Sequence, residues 1–195
     1  IGGFLGVLLS DKKYEVFTTK IIKKNSIFYL KSKYYGNLKG KIKSDKSLKY
    51  ADVIFVCSKY PYLKNHLRFI KNRKAIVIPF LNGLSHIEIL KKKFGNRLFI
   101  SNIGKVVSKK KRGSNIIAHE SNNGAEVLIC FRGLGKNTKK KIIKIFENIK
   151  VNIKILKSNH GVIWTKLIRL SALSAMTSLY NCNLGIIRKS KIKTK

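Results

Sequence analysis

Acidic side chains are scarce in this chain. Asp and Glu together number 8 against 43 Lys and Arg, a formal net charge of +35. Arginine is scarce too, standing only at positions 68, 73, 97, 112, 132, 169 and 188. Clustered cations bind phosphate backbones by releasing counterions, so the charge alone suggests nucleic acid. The shortage of arginine argues against it, because arginine makes the bidentate contacts to phosphates and bases. The lysines are also spread over the whole length, and their densest runs, at 91–93, 109–112 and 139–141, lie between apolar segments. A solvated lysine surface is the preferred reading. Attraction to acidic ligands follows in either case.

Cysteine is sparse and scattered. Cys57, Cys130 and Cys182 are too far apart for zinc-site spacing or a disulfide framework. Cys57 and Cys130 sit in strand-like apolar runs, where a free thiol acts as a small hydrophobe. No metal site is expected, and a reducing cytoplasm is the simplest location. Long uncharged apolar runs are missing as well. The opening IGGFLGVLLS is short and has no basic leader. The apolar stretch 162–180 contains Lys166 and Arg169, so it reads as a core helix and not as a membrane span. The sequence opens at Ile1 inside a helix-like segment, from which an upstream segment is expected.

Hydrophobic residues make up 44% of the chain, enough for a packed core. Residues 2–9 read as an apolar helix and 15–19 as a strand. Short strands are expected near 28–30 and 39–42. Residues 53–57 (VIFVC) and 75–79 (AIVIP) are continuous apolar runs, as in strands buried on both faces. Helices are expected at 62–71 and 85–94. This alternation marks a parallel α/β sheet. Residues 98–103, 115–119 and 126–130 then read as strands without intervening helices, suggesting an antiparallel extension. A helix at 137–149, a strand at 153–156 and a helix from 161 to 180 complete the pattern.

In open α/β sheets, ligands bind beyond the carboxyl ends of the strands. There the chain places Ser58-Lys59 and Asn82-Gly83. Each has an ordinary reading, a surface lysine and a plain turn. Ile1-Gly2-Gly3 opens a helix that leads to a strand, as at the end of a G-x-G-x-x-G dinucleotide motif; an ordinary loop explains it too. Roughly 20 residues after such glycines an NAD site carries an acid. Residues 17–24 hold none, only hydroxyls and lysines, which favours NADP. On the last helix, Lys166, Leu170, Ser174 and Thr177 fall within about 80° of one another. A lysine beside small hydroxyls is a candidate proton donor, or equally a snorkelling surface lysine.

Together, IGGFLG, ADVIFVCSKY, IPFLNGL and GVIWTKLIRLSALSAMTSLYNCNLG resemble the ketopantoate reductase (2-dehydropantoate 2-reductase) family in order and spacing. The resemblance implies a Rossmann-type α/β dinucleotide-binding domain over 1–158, followed by the beginning of an all-α domain over 159–195. It implies that the first strand and two glycines lie before residue 1. Gly2 would be the last motif glycine, with Gly3 beside it. Lys20, fitting to within a residue, and Lys59 would contact NADPH. Asn82 would lie between cofactor and substrate. Lys166 would be the general acid, and Ser174 would face the substrate. Leu170 and Ser174 stand where many members have asparagine. The implied activity is NADPH-dependent reduction of a 2-keto acid, ketopantoate to pantoate, in pantothenate biosynthesis. The full-length protein is expected to form a homodimer, while this chain alone is expected to be poorly stable and inactive. The rival readings are a basic nucleic-acid-binding protein, which requires a continuous positive face, and an inactive remnant, which binds no NADPH.

Overall fold

The computed structural model describes residues 1–20, 22, 26–133 and 135–189. The first helix, α1 (Gly2–Asp11), buries every residue from Phe4 to Leu9. A helix that is apolar all round must be covered on several sides. Here the cover comes from β1 (Phe17–Thr18), β2 (Ser26–Ser32), β3 (Gly36–Ser44), β7 (Ser108–Lys110) and β8 (Ile116–His119), which form one sheet in the order β1-β3-β2-β8-β7. The β2–β3 hairpin runs in register from Ser26 opposite Ile42 to Ser32 opposite Gly36. Its period of two sorts the side chains cleanly. Phe28, Leu30 and Ile42 are buried, while Ile27, Tyr29, Lys31, Lys39 and Lys41 face solvent. Gly40 lies beneath α1 so closely that a Cβ there would stand 2.9 Å from the Val7 Cα and 3.2 Å from the Val7 carbonyl oxygen.

The second part of the core is built on parallel strands. β4 (Val53–Val56) leads through a 3-10 turn (Tyr60–Tyr62) and α2 (Leu63–Leu67) to β5 (Ile76–Pro79), with Val53 opposite Ile76. Next come α3 (Ser85–Phe94) and β6 (Ser101–Gly104), and a bridge from Val77 to Leu98 ties this segment to β5. β9 (Glu126–Ile129), α4 (Lys136–Asn148) and β10 (Asn152–Ile155) follow β8, with β6 antiparallel and β10 parallel to β9. The chain then enters α5 (Asn159–Leu179) and α6 (Leu184–Lys189). Among the described residues, β1 pairs only with β3 and β4 only with β5, so no ladder joins the hairpin sheet to the β4–β5 pair.

The mixed α/β architecture with parallel strands agrees with the sequence reading, and α3 spans the expected residues. Four expectations change, and one unexpected strand appears. The strand expected at 15–19 is only two residues long, and α2 is shorter than 62–71. Pro61 sits at the start of a 3-10 turn there, and only Leu63 and Leu67 of α2 are buried. The stretches expected as an antiparallel extension divide between two sheets. β8 joins the hairpin and runs parallel to β2, while β6 and β9 pair with each other. The strand β7, with the sequence Ser-Lys-Lys, has no apolar signal and was not expected. Finally, α5 is not a core helix within this chain. Val162 is its one buried residue, and Trp164, Ile168 and Leu179 are 46%, 64% and 76% exposed.

Candidate functional site

The carboxyl ends of β4 and β5 lie side by side, with the Phe80 amide donating to the Val56 carbonyl at 2.8 Å. Beyond β5 the chain turns at Asn82-Gly83, and Gly83 adopts a φ of +83°, the left-handed region that glycine enters at no steric cost. The turn presents Asn82 and starts α3. On the other side, α5 packs against β6 through two cross-links. The Asn102 Nδ2 donates to the Val162 carbonyl at 3.1 Å, and the Lys166 Nζ donates to the Ile103 carbonyl at 2.8 Å.

Between these elements lies a cavity of about 330 Å³. Asn82, Lys166 and Ser174, three of the residues singled out in the sequence, line it together. Leu170 lines it as well, giving an apolar wall in place of a carboxamide. Thr177 does not; its hydroxyl is turned back onto the Leu173 carbonyl at 2.8 Å. Lys166 is half-buried. Burial, and secondarily the Arg169 guanidinium, hold its pKa below the ordinary lysine value of 10.5. An ammonium on a half-dry wall, tethered by one carbonyl, can donate to an oxygen that develops negative charge in the cavity.

The remaining candidates are elsewhere. Gly2 and Gly3 open α1 against the end of β4, where a Cβ on Gly2 would stand 3.3 Å from the Cys57 Cβ. The Cys57 thiol is pushed up to about 12 by burial, so it is a packing group and not a nucleophile. Lys59 is exposed at the start of the 3-10 turn after β4. Lys20 is exposed just after β1; its neighbour Thr19 meets the His66 ring at 3.2 Å. Ile21, Lys23 and Lys24, part of the stretch read for nucleotide preference, lie outside the described residues. None of Gly2, Gly3, Lys20 and Lys59 lines the 330 Å³ cavity.

The sequence reading overlooked three buried polar residues of the cavity, His86, Ser101 and Asn102, each 6% exposed or less, and the exposed Ser171. Ser101 is satisfied by the Pro79 carbonyl, to which its hydroxyl donates. Among the described residues, the buried His86 Nδ1 and Asn102 Oδ1 have no hydrogen-bond partner. Burial also lowers the His86 pKa from 6.5, keeping the imidazole neutral near pH 7. The available signal was the Ser-Asn pair interrupting the apolar run 98–103. A polar pair inside a buried strand needs a reason.

Among the described residues there is no cluster of His, Cys, Asp and Glu able to hold a metal ion, and no helix is long and apolar enough to cross a membrane. A profile of the family described as ketopantoate reductase PanE/ApbA matches residues 1–126. No curated protein sequence matches the chain. Among solved structures, a ternary complex of D-mandelate dehydrogenase with NADH and anilino(oxo)acetate superposes with a TM-score of 0.77 at 18% identity, covering 97% of this chain and 64% of that one. The 2-dehydropantoate 2-reductase from Geobacter metallireducens GS-15 gives a TM-score of 0.77 at 16% identity, over 97% and 66% of the two chains. A dimeric ketopantoate reductase from Staphylococcus aureus gives 0.68 at 15% identity, over 98% and 69%. At these identities the superpositions establish a shared fold, and the chain spans less than two thirds of the mandelate dehydrogenase. With the family profile covering more than half of its length, the chain belongs to the ketopantoate reductase family.

Proposed function

We propose that the protein is an NADPH-dependent reductase of a 2-keto acid, and that its substrate is ketopantoate, reduced to pantoate. The observation that carries this reading is the meeting of Asn82, Lys166 and Ser174 on one cavity beside the carboxyl ends of two parallel strands. In that reading Lys166 is the general acid and Asn82 stands between cofactor and substrate. Ser174 contacts the substrate from α5.

The residues expected to hold the dinucleotide suit it. The first turn of α1 has no side-chain cap, and the backbone amides at a helix start can hold an anion. Gly2 keeps that turn tight against the end of β4, where a larger residue would crowd Cys57. Ser58 Oγ, next to Lys59, is buried and has no hydrogen-bond partner among the described residues. Lys20 and Lys59 carry positive charge at two strand ends, and residues 17–24 include no acid, which favours the 2′-phosphate of NADP. When bound, the cofactor would supply a hydride to the carbonyl carbon. Lys166 stabilises the negative charge that grows on the carbonyl oxygen and then gives that oxygen a proton, leaving a secondary alcohol. The apolar Leu170 and the short Ser174 shape the side of the cavity that holds the rest of the acid. A homodimer is the assembly we assign to the full-length protein.

The test is NADPH fluorescence titration and NADPH oxidation with ketopantoate. Both are run on this chain and on a form extended at its N-terminus by a strand carrying G-x-G. The extended form is expected to bind NADPH and turn over, and the shorter one to bind weakly. No binding by the extended form would sink the reductase reading. In the active form, Lys166→Ala should lower turnover by about 10²–10⁴-fold while leaving NADPH affinity little changed. An undiminished rate would remove Lys166 from this role.

One observation favours a second reading. The outer face of the hairpin sheet sets Lys39 opposite Tyr29 and Lys41 opposite Ile27, with Lys31 facing Asn37 on one side and Ala118 on the other. Exposed lysines around an exposed tyrosine form a surface on which single-stranded nucleic acid can stack.

A further inference from the structure

A second buried histidine lines no part of the 330 Å³ cavity. His119 ends β8 and is 3% exposed, with Phe4 of α1 stacked on its ring at 5.0 Å and Tyr35 edge-on at 5.3 Å. Its Nδ1 lies 2.9 Å from the hydroxyl of Ser32, its register partner on β2. That hydroxyl already accepts from the backbone amides of Tyr34 at 3.1 Å and Tyr35 at 3.0 Å. A hydroxyl has two lone pairs and one proton. With both lone pairs taken, its proton goes to Nδ1, so the neutral ring carries its own hydrogen on Nε2. Nε2 is buried and has no hydrogen-bond partner among the described residues. The same turn is seated against the other sheet. The Tyr35 hydroxyl accepts from the Ala125 amide at 2.7 Å, just before β9, and donates to the Lys150 carbonyl at 3.3 Å, between α4 and β10. The Tyr34 ring lies so close to Gly124 that a Cβ there would stand 2.7 Å from it.

We propose that His119 is a proton-sensitive latch: neutral, it completes the hydrogen bonds that hold the 33–35 turn against the start of β9, and protonated it releases that turn from Gly124 and Ala125. This is independent of the reductase reading. Protonation places a hydrogen on Nδ1, facing Ser32 Oγ. Three donors then converge on an oxygen that accepts two, so a turn amide must let go. The titratable groups of the surrounding elements do not offset the new charge. α1 brings none between residues 2 and 9. On β7, the register partner Ser108 is uncharged, Lys110 lies over the Phe28 ring, and Lys109 pairs with Glu120 at 3.4 Å. Lys31, Lys33 and Lys150 are exposed cations. Burial holds the Tyr35 phenol above its ordinary pKa of 10.0, so it stays neutral. At β9, Glu126 is held by Lys105 and Lys154. Burial lowers the His119 pKa from 6.5. Opening returns the ring to water and to its ordinary value. The closed state therefore keeps its full advantage above pH 6.5 and loses it as pH falls from there through the lower pKa of the closed state.

The experiment is amide hydrogen exchange of this chain by NMR at about pH 7 and about pH 5, with each rate divided by that of an unstructured chain at the same pH. Protection of the Tyr34, Tyr35 and Ala125 amides is expected to fall about fivefold or more toward the lower pH. The Ile76 and Phe80 amides, bound to the Asp52 and Val56 carbonyls in the β4–β5 pair, should change little. An equal fall at all five amides is general acid unfolding and overturns the latch, as does no fall at the first three. His119→Gln keeps an acceptor for the Ser32 hydroxyl and cannot titrate, so it should hold protection at the turn constant across the range. Ser32→Ala removes the shared oxygen and should leave the Tyr34 and Tyr35 amides weakly protected at both pH values. A full pH response in either variant overturns the assignment. Where His119→Gln does not fold, the ring of His119 is titrated in the unaltered chain. A pKa below 6.5 supports the latch, and one at or above 6.5 overturns it.

Discussion

At the scale of single residues, the proposed chemistry depends on where one lysine among many is placed. Lys166 differs from its neighbours in being half-buried and bound to the Ile103 carbonyl. Burial is the larger cause of its lowered pKa and Arg169, three residues along α5, the smaller. A general acid must carry its proton before transfer, so turnover should fall as pH rises through a pKa below 10.5. Arg169→Gln removes the smaller cause. It should move the alkaline limb of the pH–rate profile upward, toward but not up to the ordinary lysine value. A limb that stays in place would assign the whole shift to burial. The sequence showed Lys166 as a lysine on a face with Ser174, but it left open whether that lysine snorkels. Only the packing of α5 on β6 separates these cases, because the carbonyl it binds belongs to a residue 63 positions away.

At the scale of elements, legibility followed periodicity. α3 was readable because Ile87, Leu90 and Phe94 repeat at helical spacing and are all buried. β4 and β5 were readable as unbroken apolar runs. The hairpin was underestimated because its outer face is lysine-rich, and β7 was invisible because three polar residues become a strand only through pairing with β8. Close approach of elements is equally hidden. α1 lies almost on the backbone of β3 at Gly40, whose missing side chain leaves room for the Val7 Cα. Gly40→Ala should therefore cost about 1–3 kcal/mol in chemical denaturation, since backbone has to move. Gly6→Ala makes an informative comparison. Its Cβ would meet the tip of the Ile42 side chain at 2.8 Å, and a flexible methyl can swing away. Equal losses in the two variants would contradict this account.

At the scale of the whole molecule, charge and edges dominate. The formal net charge of +35 leaves most lysines without an acidic neighbour. The pair of cations at Glu126, Lys105 at 3.1 Å and Lys154 at 3.2 Å, is an exception. The Glu126 pKa is lowered overall: burial opposes ionisation, and the two lysines outweigh it. A surface of this kind attracts polyanions whatever its function. If the Tyr29–Lys39 face is a true nucleic-acid site, a single-stranded oligonucleotide should bind tightly and lose affinity in Tyr29→Ala. If the lysines are only a solvated surface, binding should be weak, abolished by about 0.2 M salt and indifferent to Tyr29. The second result is expected. The sides of β1 and β4 that are unpaired among the described residues are the other large-scale feature. Open strand edges invite association with further strands, so a form extended by a strand is the natural one for binding work.

By itself the sequence determined the fold class, the family and the identity of three cavity residues, Asn82, Lys166 and Ser174. Those are local quantities: apolar runs, helical spacing and short motifs are written in neighbouring residues. Tertiary structure alone decided that these three meet while Gly2, Lys20 and Lys59 stand apart from the cavity, that α5 is exposed, and that the buried Asn102 and His86 join the cavity lining. The reason is physical. Burial, lost hydration and hydrogen-bond partnership depend on residues brought together from distant parts of the chain. The carboxamide of Asn102 is oriented only when the Val162 carbonyl, 60 positions later, accepts from its nitrogen.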